Sequence, residues 1–287
     1  MMTPSTLRVA VIDLYNGEPN QGMRAIHELL TALDGRFHDV PIEFEVFEAR
    51  LNGEMPDLSY DVYVSSGGPG SPYDGAGQAW EARYFAWIDA VWAHNARHPQ
   101  ERRKHVLFIC HSFQLMVRHF AVADVVERRS PSFGVFPVHP TLDGFNDPAL
   151  RGLADPFYAA DFRHWQAIQP DVMHLEDLGA SILALEKPRP GVALERAIMA
   201  IRLTPELLGV QFHPEADPKG MAHHFSHADR KTAIIEQHGA EKYARIMHRL
   251  QAPAFLQRTY DAVIPQVFQG AVEALRPEAA YVMRSAK

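Results

Sequence analysis

The sequence predicts an α/β fold built on a doubly wound, mainly parallel sheet that helices flank. Short apolar runs rich in β-branched residues occur at 9–14, 62–64 and 106–109. Between them, apolar residues recur at helical spacing over 22–33 and over 80–92. Short strands that alternate with helices of this length favour crossover connections, so we expect the strands to be parallel.

The pattern changes after about residue 130. Strand candidates then follow one another without long helices between them, at 133–138, 182–185 and 197–203. This spacing is typical of a meander, which we expect to continue the sheet beyond its doubly wound part.

The last part of the chain reads as helical, over 220–251 and 254–275, with Pro253 as the predicted break. We therefore expect a domain at 1–219 and a C-terminal helical extension at 220–287. The helices of the extension carry apolar faces that must be covered. Packing on the flank of the domain is the favoured arrangement, and a dimer contact or a lid over the site are the alternatives.

Composition disfavours several classes of protein. The chain has 287 residues, 47% hydrophobic and 22% charged, and its 28 basic and 35 acidic residues give a net charge of −7. This balance does not favour a nucleic-acid surface. One cysteine permits no intrachain disulfide, and no apolar run approaches the ~20 residues that span a bilayer. We expect a cytoplasmic protein with no membrane partner and, since no nucleotide-binding or metal-ligand motif occurs, no cofactor or metal.

The single cysteine, Cys110, follows the apolar run at 106–109 directly. A strand that ends on a cysteine and passes into a helix holds the thiol at the positive end of the helix dipole, which favours the thiolate. A buried structural cysteine is the alternative interpretation. Two further segments favour a nucleophile.

One of them, Val-Gln-Phe-His-Pro-Glu, covers 210–215 and places a carboxylate two positions after His213. An imidazole activates a thiol by taking its proton, and a third group that fixes the tautomer makes the imidazole a better base. Pro214 prevents an immediate helix, so Glu215 can fold back onto the ring. The sequence therefore predicts a triad of Cys110, His213 and Glu215.

The other segment, Ser-Ser-Gly-Gly-Pro-Gly-Ser-Pro, covers 65–72 and follows the apolar run at 62–64. Glycines let backbone N–H groups approach a reacting carbon without a Cβ in the way. The order of the glycine-rich, cysteine and His-Pro-Glu segments resembles the class I glutamine amidotransferase domain, such as that of GMP synthetase. The resemblance covers about residues 7–218 and implies a flavodoxin-like sheet.

The resemblance also implies roles for single residues. The backbone N–H groups of Gly68 and His111 would form the oxyanion hole. Gly67 and Gln114 would take part in substrate binding, with Gln114 contacting the amide-bearing side chain. The segment at 161–166 falls where the family has further substrate contacts.

The segment around the cysteine departs from the family pattern Gly-x-Cys-x-Gly-x-Gln. Phe108 and Ser112 stand where the two glycines would be. Glycines relieve crowding at a strained turn, so we expect an altered turn or a differently shaped pocket.

Three functions stay open on these residues. The first is a cysteine amidase that transfers or hydrolyses the side-chain amide of glutamine through a γ-glutamyl thioester, with a synthase subunit or a second copy of the chain as partner. The second is a stand-alone hydrolase or transferase of γ-glutamyl compounds. The third is a non-catalytic binding module, which only the two missing glycines support.

Overall fold

The structure is a computed structural model and describes residues 6–37, 40–189, 191, 194–252 and 255–277. Within these ranges the strands are β1 Leu7–Asp13, β2 Ile42–Glu48, β3 Val62–Ser65, β4 His105–Ile109, β5 Asp124–Pro140, β6 Phe157–Ile168, β7 Ser181–Glu186, β8 Ile198–Thr204 and β9 Leu207–Val210. The α-helices are α1 Gly22–Leu33, α2 Ala79–Arg97, α3 His111–Phe120, α4 Leu142–Asn146, α5 Val172–Leu178, α6 Pro218–Ser226, α7 Ala228–His238, α8 Ala240–Gln251 and α9 Leu256–Leu275.

Five strands form a parallel half of the sheet, in the order β2-β1-β3-β4-β9. Each neighbouring pair in this half runs in the same direction. β3 and β4 are buried along their whole length, as expected for strands that helices cover on both faces. The order of the strands reverses beside β1, and at such a point an open α/β sheet leaves a crevice at the carboxyl ends of its strands.

The other four strands correct the prediction of a mainly parallel sheet. β8, β6, β5 and β7 pair in antiparallel fashion, and β7 pairs with β8 again, which closes these strands on themselves. The chain is α/β, but only β1 to β4 and β9 are parallel. The physical reason is that no helix long enough for a crossover lies between the strands in the described residues from 124 to 204, and antiparallel pairs need none.

Helices cover both faces of the parallel half. Alternate residues of β1 point to opposite faces, with Val9 and Val11 in one apolar cluster and Ala10 and Ile12 in the other. The first cluster also contains α1 and α9, and the second contains α2 and α3. The doubly wound arrangement therefore uses a helix from the last part of the chain.

The C-terminal helices lie in two different places. α6 and α8 contribute to a third apolar cluster against β5 and β6, as a flank arrangement would have them. α9 belongs to the main cluster, where Val263 and Phe268 are fully buried. The boundary at residue 219 stays a prediction, and Pro253 lies outside the described residues. None of the helices within the described ranges has both the length and the apolar character to cross a membrane.

We expect Phe268→Ala to lower the free energy of unfolding by about 3–5 kcal/mol, because the substitution leaves a cavity between α9 and the sheet. Chemical denaturation followed by circular dichroism measures the loss. Arg258→Ala, on the exposed side of the same helix, is the control and should change stability by less than about 0.5 kcal/mol. Equal stabilities of the two variants would show that α9 is an appendage rather than part of the core.

Candidate active site

The predicted site residues lie where the carboxyl ends of β1, β3, β4 and β9 meet. The parallel directions of these strands bring the segments that follow them to one edge of the sheet. The glycine-rich segment follows β3, Cys110 follows β4, and His213 and Glu215 follow β9. Residues far apart in the sequence therefore share one crevice.

Cys110 lies at the sharp turn from β4 into α3. Its backbone has φ 51° and ψ −97°, a strained conformation for a residue with a Cβ. The residue precedes the first turn of α3, and its side chain is almost fully buried, at 4% exposure. This geometry is that of a nucleophile turn, which holds a side chain out above the end of a sheet.

The two residues that replace glycines leave this turn intact. Phe108 is buried among the α2 and α3 side chains, with its ring centroid 6.3 Å from that of Trp87, and does not line the site. The Ser112 hydroxyl accepts a hydrogen bond from Ile109 N at 2.7 Å and donates to Ser65 O at 2.7 Å. The serine therefore ties β3, β4 and α3 together below the cysteine.

The imidazole of His213 is held from two directions. Its Nδ1 lies 2.7 Å from Glu215 Oε1, and its backbone N donates to Ala160 O at 2.9 Å. This leaves Nε2 for a second partner, and Cys110 is close enough for its charge to act on the ring. Burial alone would lower the pKa of His213, but the negative charges of Glu215 and Cys110 outweigh it and raise that pKa well above its usual value.

Gly67 and Glu215 complete the surroundings of the imidazole. A Cβ at Gly67 would lie 2.9 Å from His213 Cε1, so the position has no room for a side chain. Glu215 is 1% exposed, and its second oxygen, Oε2, has no hydrogen-bond partner among the described residues. Burying a carboxylate oxygen without a hydrogen-bond partner costs free energy. A ligand that donates a hydrogen bond to this oxygen would offset the cost.

Gln114 is connected to the nucleophile through a residue that sequence reasoning missed. Its Nε2 donates to Gln211 Oε1 at 3.1 Å and to Trp165 O at 3.3 Å, and Gln211 Nε2 donates to Cys110 Sγ at 3.7 Å. The sequence could have indicated Gln211, because alternate residues of an extended segment share a face and Gln211 lies two positions before His213.

Tyr15 is a second residue that sequence reasoning missed. Its hydroxyl lies against the backbone of Gly22 and Gly67, where a Cβ would be too close. Burial, assisted by the negative charges of Glu215 and Cys110, raises the pKa of Tyr15 well above its usual value, so the phenol stays protonated. The loop after β1 therefore contributes a neutral hydrogen-bond donor to the site.

Two cavities meet at Cys110. The smaller, of about 80 Å³, is bordered by the predicted oxyanion-hole residues Gly68 and His111, by Gln114 and by the segment 162–165. As the first residue of α3, His111 has an N–H that the helix itself does not satisfy. Residues 162–165 of the segment at 161–166, for which the resemblance implies substrate contacts, thus border the same cavity as Cys110.

The larger cavity, of about 320 Å³, is bordered by His213 and Glu215. Two residues of the loop after β1, Glu18 and Asn20, also line it. No group of three or more metal-binding side chains occurs in the part of the chain that the structure describes.

The comparisons with known proteins agree with the fold. The sequence profile of the family described as "Glutamine amidotransferase class-I" matches residues 19–231, about three quarters of the chain. The chain therefore belongs to the class I glutamine amidotransferase family, whose members hydrolyse or transfer the amide nitrogen of glutamine. No curated protein sequence matches the chain at a significant level.

Solved structures share the fold at low sequence identity. A glutamine amidotransferase from Thermotoga maritima is 15% identical with a TM-score of 0.67, and the match covers 93% of this chain and 98% of that one. A glutamine amidotransferase from Methylobacillus flagellatus is 15% identical with a TM-score of 0.57 and 96% coverage of both chains. A protein from Thermoplasma acidophilum described as a GMP synthase subunit is 20% identical with a TM-score of 0.50, over 74% of this chain and 85% of that one.

We expect Glu215→Gln to move the titration midpoint of His213 to lower pH, because the substitution removes the carboxylate that holds the pKa up. NMR of the imidazole carbons measures the midpoint, with the His213 signal assigned by its loss in His213→Gln. Glu18→Gln, which removes a carboxylate at the rim of the same cavity, is the control and should leave the midpoint in place. An unchanged midpoint in Glu215→Gln would mean that the carboxylate does not set the charge of the imidazole.

Proposed function

We propose that the chain is a cysteine-dependent amidase that cleaves the side-chain amide of glutamine, or of another γ-glutamyl compound, through a γ-glutamyl thioester. The observation that carries this proposal is the strained turn at Cys110 beside an imidazole that a buried carboxylate orients. A nucleophile, a base and an orienting group in this arrangement are the requirements of covalent amide cleavage.

In the proposed reaction the Cys110 thiolate attacks the amide carbon, and the oxygen of the substrate becomes an oxyanion. The backbone N–H groups of Gly68 and His111 donate to this oxyanion. The carbon–nitrogen bond then breaks, and His213 gives its proton to the departing nitrogen. His213 next takes a proton from water, which attacks the thioester, breaks the sulfur–carbon bond and releases glutamate and the free cysteine.

Glu215 holds the imidazole in the orientation and charge state that these steps need. Gln211 and Gln114 form a chain of amide groups that ends on the sulfur, which supports a role in positioning the nucleophile. Gly67 keeps the space above the imidazole free of a side chain, and Gln114 borders the acyl side of the substrate. These steps need neither cofactor nor metal.

A second candidate is a stand-alone γ-glutamyl hydrolase or transferase, which would use the same thioester without a synthase subunit. The larger cavity favours it, because ammonia alone would not require a space of about 320 Å³ beside the imidazole. In the amidotransferase alternative, a synthase subunit or a second copy of this chain would receive the nitrogen. We further propose that the protein acts in the cytoplasm, where its thiol stays reduced.

We expect a chloroketone analogue of glutamine to form a single covalent adduct, on Cys110, because the chain has no other cysteine. Cys110→Ser should form no adduct and lose at least about 10³-fold in amide hydrolysis, and His213→Ala should lose a comparable factor. Mass spectrometry and glutamate release measure the two effects. His223→Ala, an exposed histidine on α6, is the control and should behave as wild type. Hydrolysis that survives in Cys110→Ser would rule out the thioester.

A further inference from the structure

The two cavities divide the reacting groups between them. The predicted oxyanion donors, Gly68 and His111, border the smaller cavity together with Gln114, and His213 does not. His213 and Glu215 border the larger cavity, and His111 and Gln114 do not. Cys110 and the predicted oxyanion donor Gly68 border both.

This division indicates in which cavity each half of an amide substrate would bind. The acyl oxygen must reach both oxyanion donors, and His111 borders only the smaller cavity, so the acyl part lies on that side. The leaving nitrogen must reach the proton donor, so it lies on the side of His213. Any group attached to that nitrogen then extends into the larger cavity, whose volume of about 320 Å³ is within the range of small-molecule sites.

Aromatic side chains form one wall of the larger cavity. The ring centroids of Phe133, Phe162 and Phe225 lie 5.0 to 6.0 Å from one another, and the Phe162 ring is 5.9 Å from that of His213. Met221, one turn before Phe225 on α6, lines the same cavity. Such a wall favours an apolar or aromatic group by burial and by edge-to-face ring contacts.

The charges of the cavity disfavour a carboxylate on that group. Its described lining contains no lysine or arginine, the charge of His213 is paired with that of Glu215, and the remaining acidic residue, Glu18, would repel an anion. Burial, together with the nearby positive charges of Arg230 and His227, lowers the pKa of His224, so this residue supplies no positive charge at neutral pH.

We propose that the preferred substrate is a γ-glutamyl amide whose amine carries an apolar, aromatic group and no carboxylate. The proposal rests on the proposed function. The carbon–nitrogen bond breaks as the carbon–sulfur bond to Cys110 forms, and the amine leaves with the proton of His213 into the larger cavity. Water then releases glutamate.

Three substrates test the proposal on the full-length protein: γ-glutamylphenethylamide, γ-glutamylphenylalanine, which differs from it only by a carboxylate, and glutamine, which has no group on its nitrogen. We expect kcat/KM for the phenethylamide to exceed that for each of the other two by about tenfold or more. Glutamine cleaved as fast as the phenethylamide, or the phenylalanine compound cleaved as fast, would overturn the proposal and leave the amidase function standing. Absence of cleavage of all three, with no adduct on Cys110, would overturn the amidase function itself.

Substitutions on α6 test whether the group on the amine binds in the larger cavity. Met221→Trp fills the larger cavity and should bring the ratio of kcat/KM for the phenethylamide over glutamine close to one. Lys219→Trp, the same substitution at an exposed position two residues earlier, is the matched control and should keep the wild-type ratio. Should Met221→Trp fail to fold, Phe133→Ala removes part of the aromatic wall and should lower the same ratio. An unchanged ratio in a folded variant would place the amine elsewhere.

Discussion

The pairing of β4 with β9 is the constraint on which the site depends. Cys110 N donates to Val210 O at 2.8 Å, so the residue that follows β4 is hydrogen-bonded to the last residue of β9. Since the strands are parallel, the chain leaves both at the same edge, with the thiol on one side and the imidazole segment on the other. A shift by one residue would turn Gln211 and His213 away from the sulfur. The register of this one pair thus aligns segments about a hundred residues apart.

At this junction, electrostatic interactions offset the free-energy cost of burying the charged His213 imidazole. An imidazolium surrounded by protein is disfavoured by the loss of water, and the Glu215 carboxylate and the Cys110 sulfur offset that loss. Only one oxygen of the Glu215 carboxylate is hydrogen-bonded. Oε1 contacts the imidazole, and Oε2 has no partner in the described part of the chain.

Much of the fold and the site could be predicted from local patterns. The apolar runs and helical spacing identified β1, α1, β3, α2 and β4, because the apolar pattern of each element's own residues indicates which of its faces is buried. The candidate triad segments could be proposed from the sequence because covalent amide cleavage requires particular side chains, which here lie in short motifs. The closure of β5 to β8 could not be predicted in the same way, since it depends on pairings such as His139 with Leu185, far apart in the sequence. α9 packs on the part of the sheet face that α1 leaves uncovered. No local sequence pattern predicts that position.

The position of α6 links the last part of the chain to the chemistry. The Asp217 side chain accepts from Gly220 N and so caps the helix, and the same carboxylate forms an ion pair with Arg24 of α1. This pair fixes the start of α6 beside the loop after β1, which holds Met221 and Phe225 against the larger cavity. The family profile ends at residue 231, beyond α6, so the wall of that cavity lies within the matched region. Selectivity for the amine would therefore be set by a helix that carries none of the triad, which allows the donor to change while the thioester chemistry stays the same.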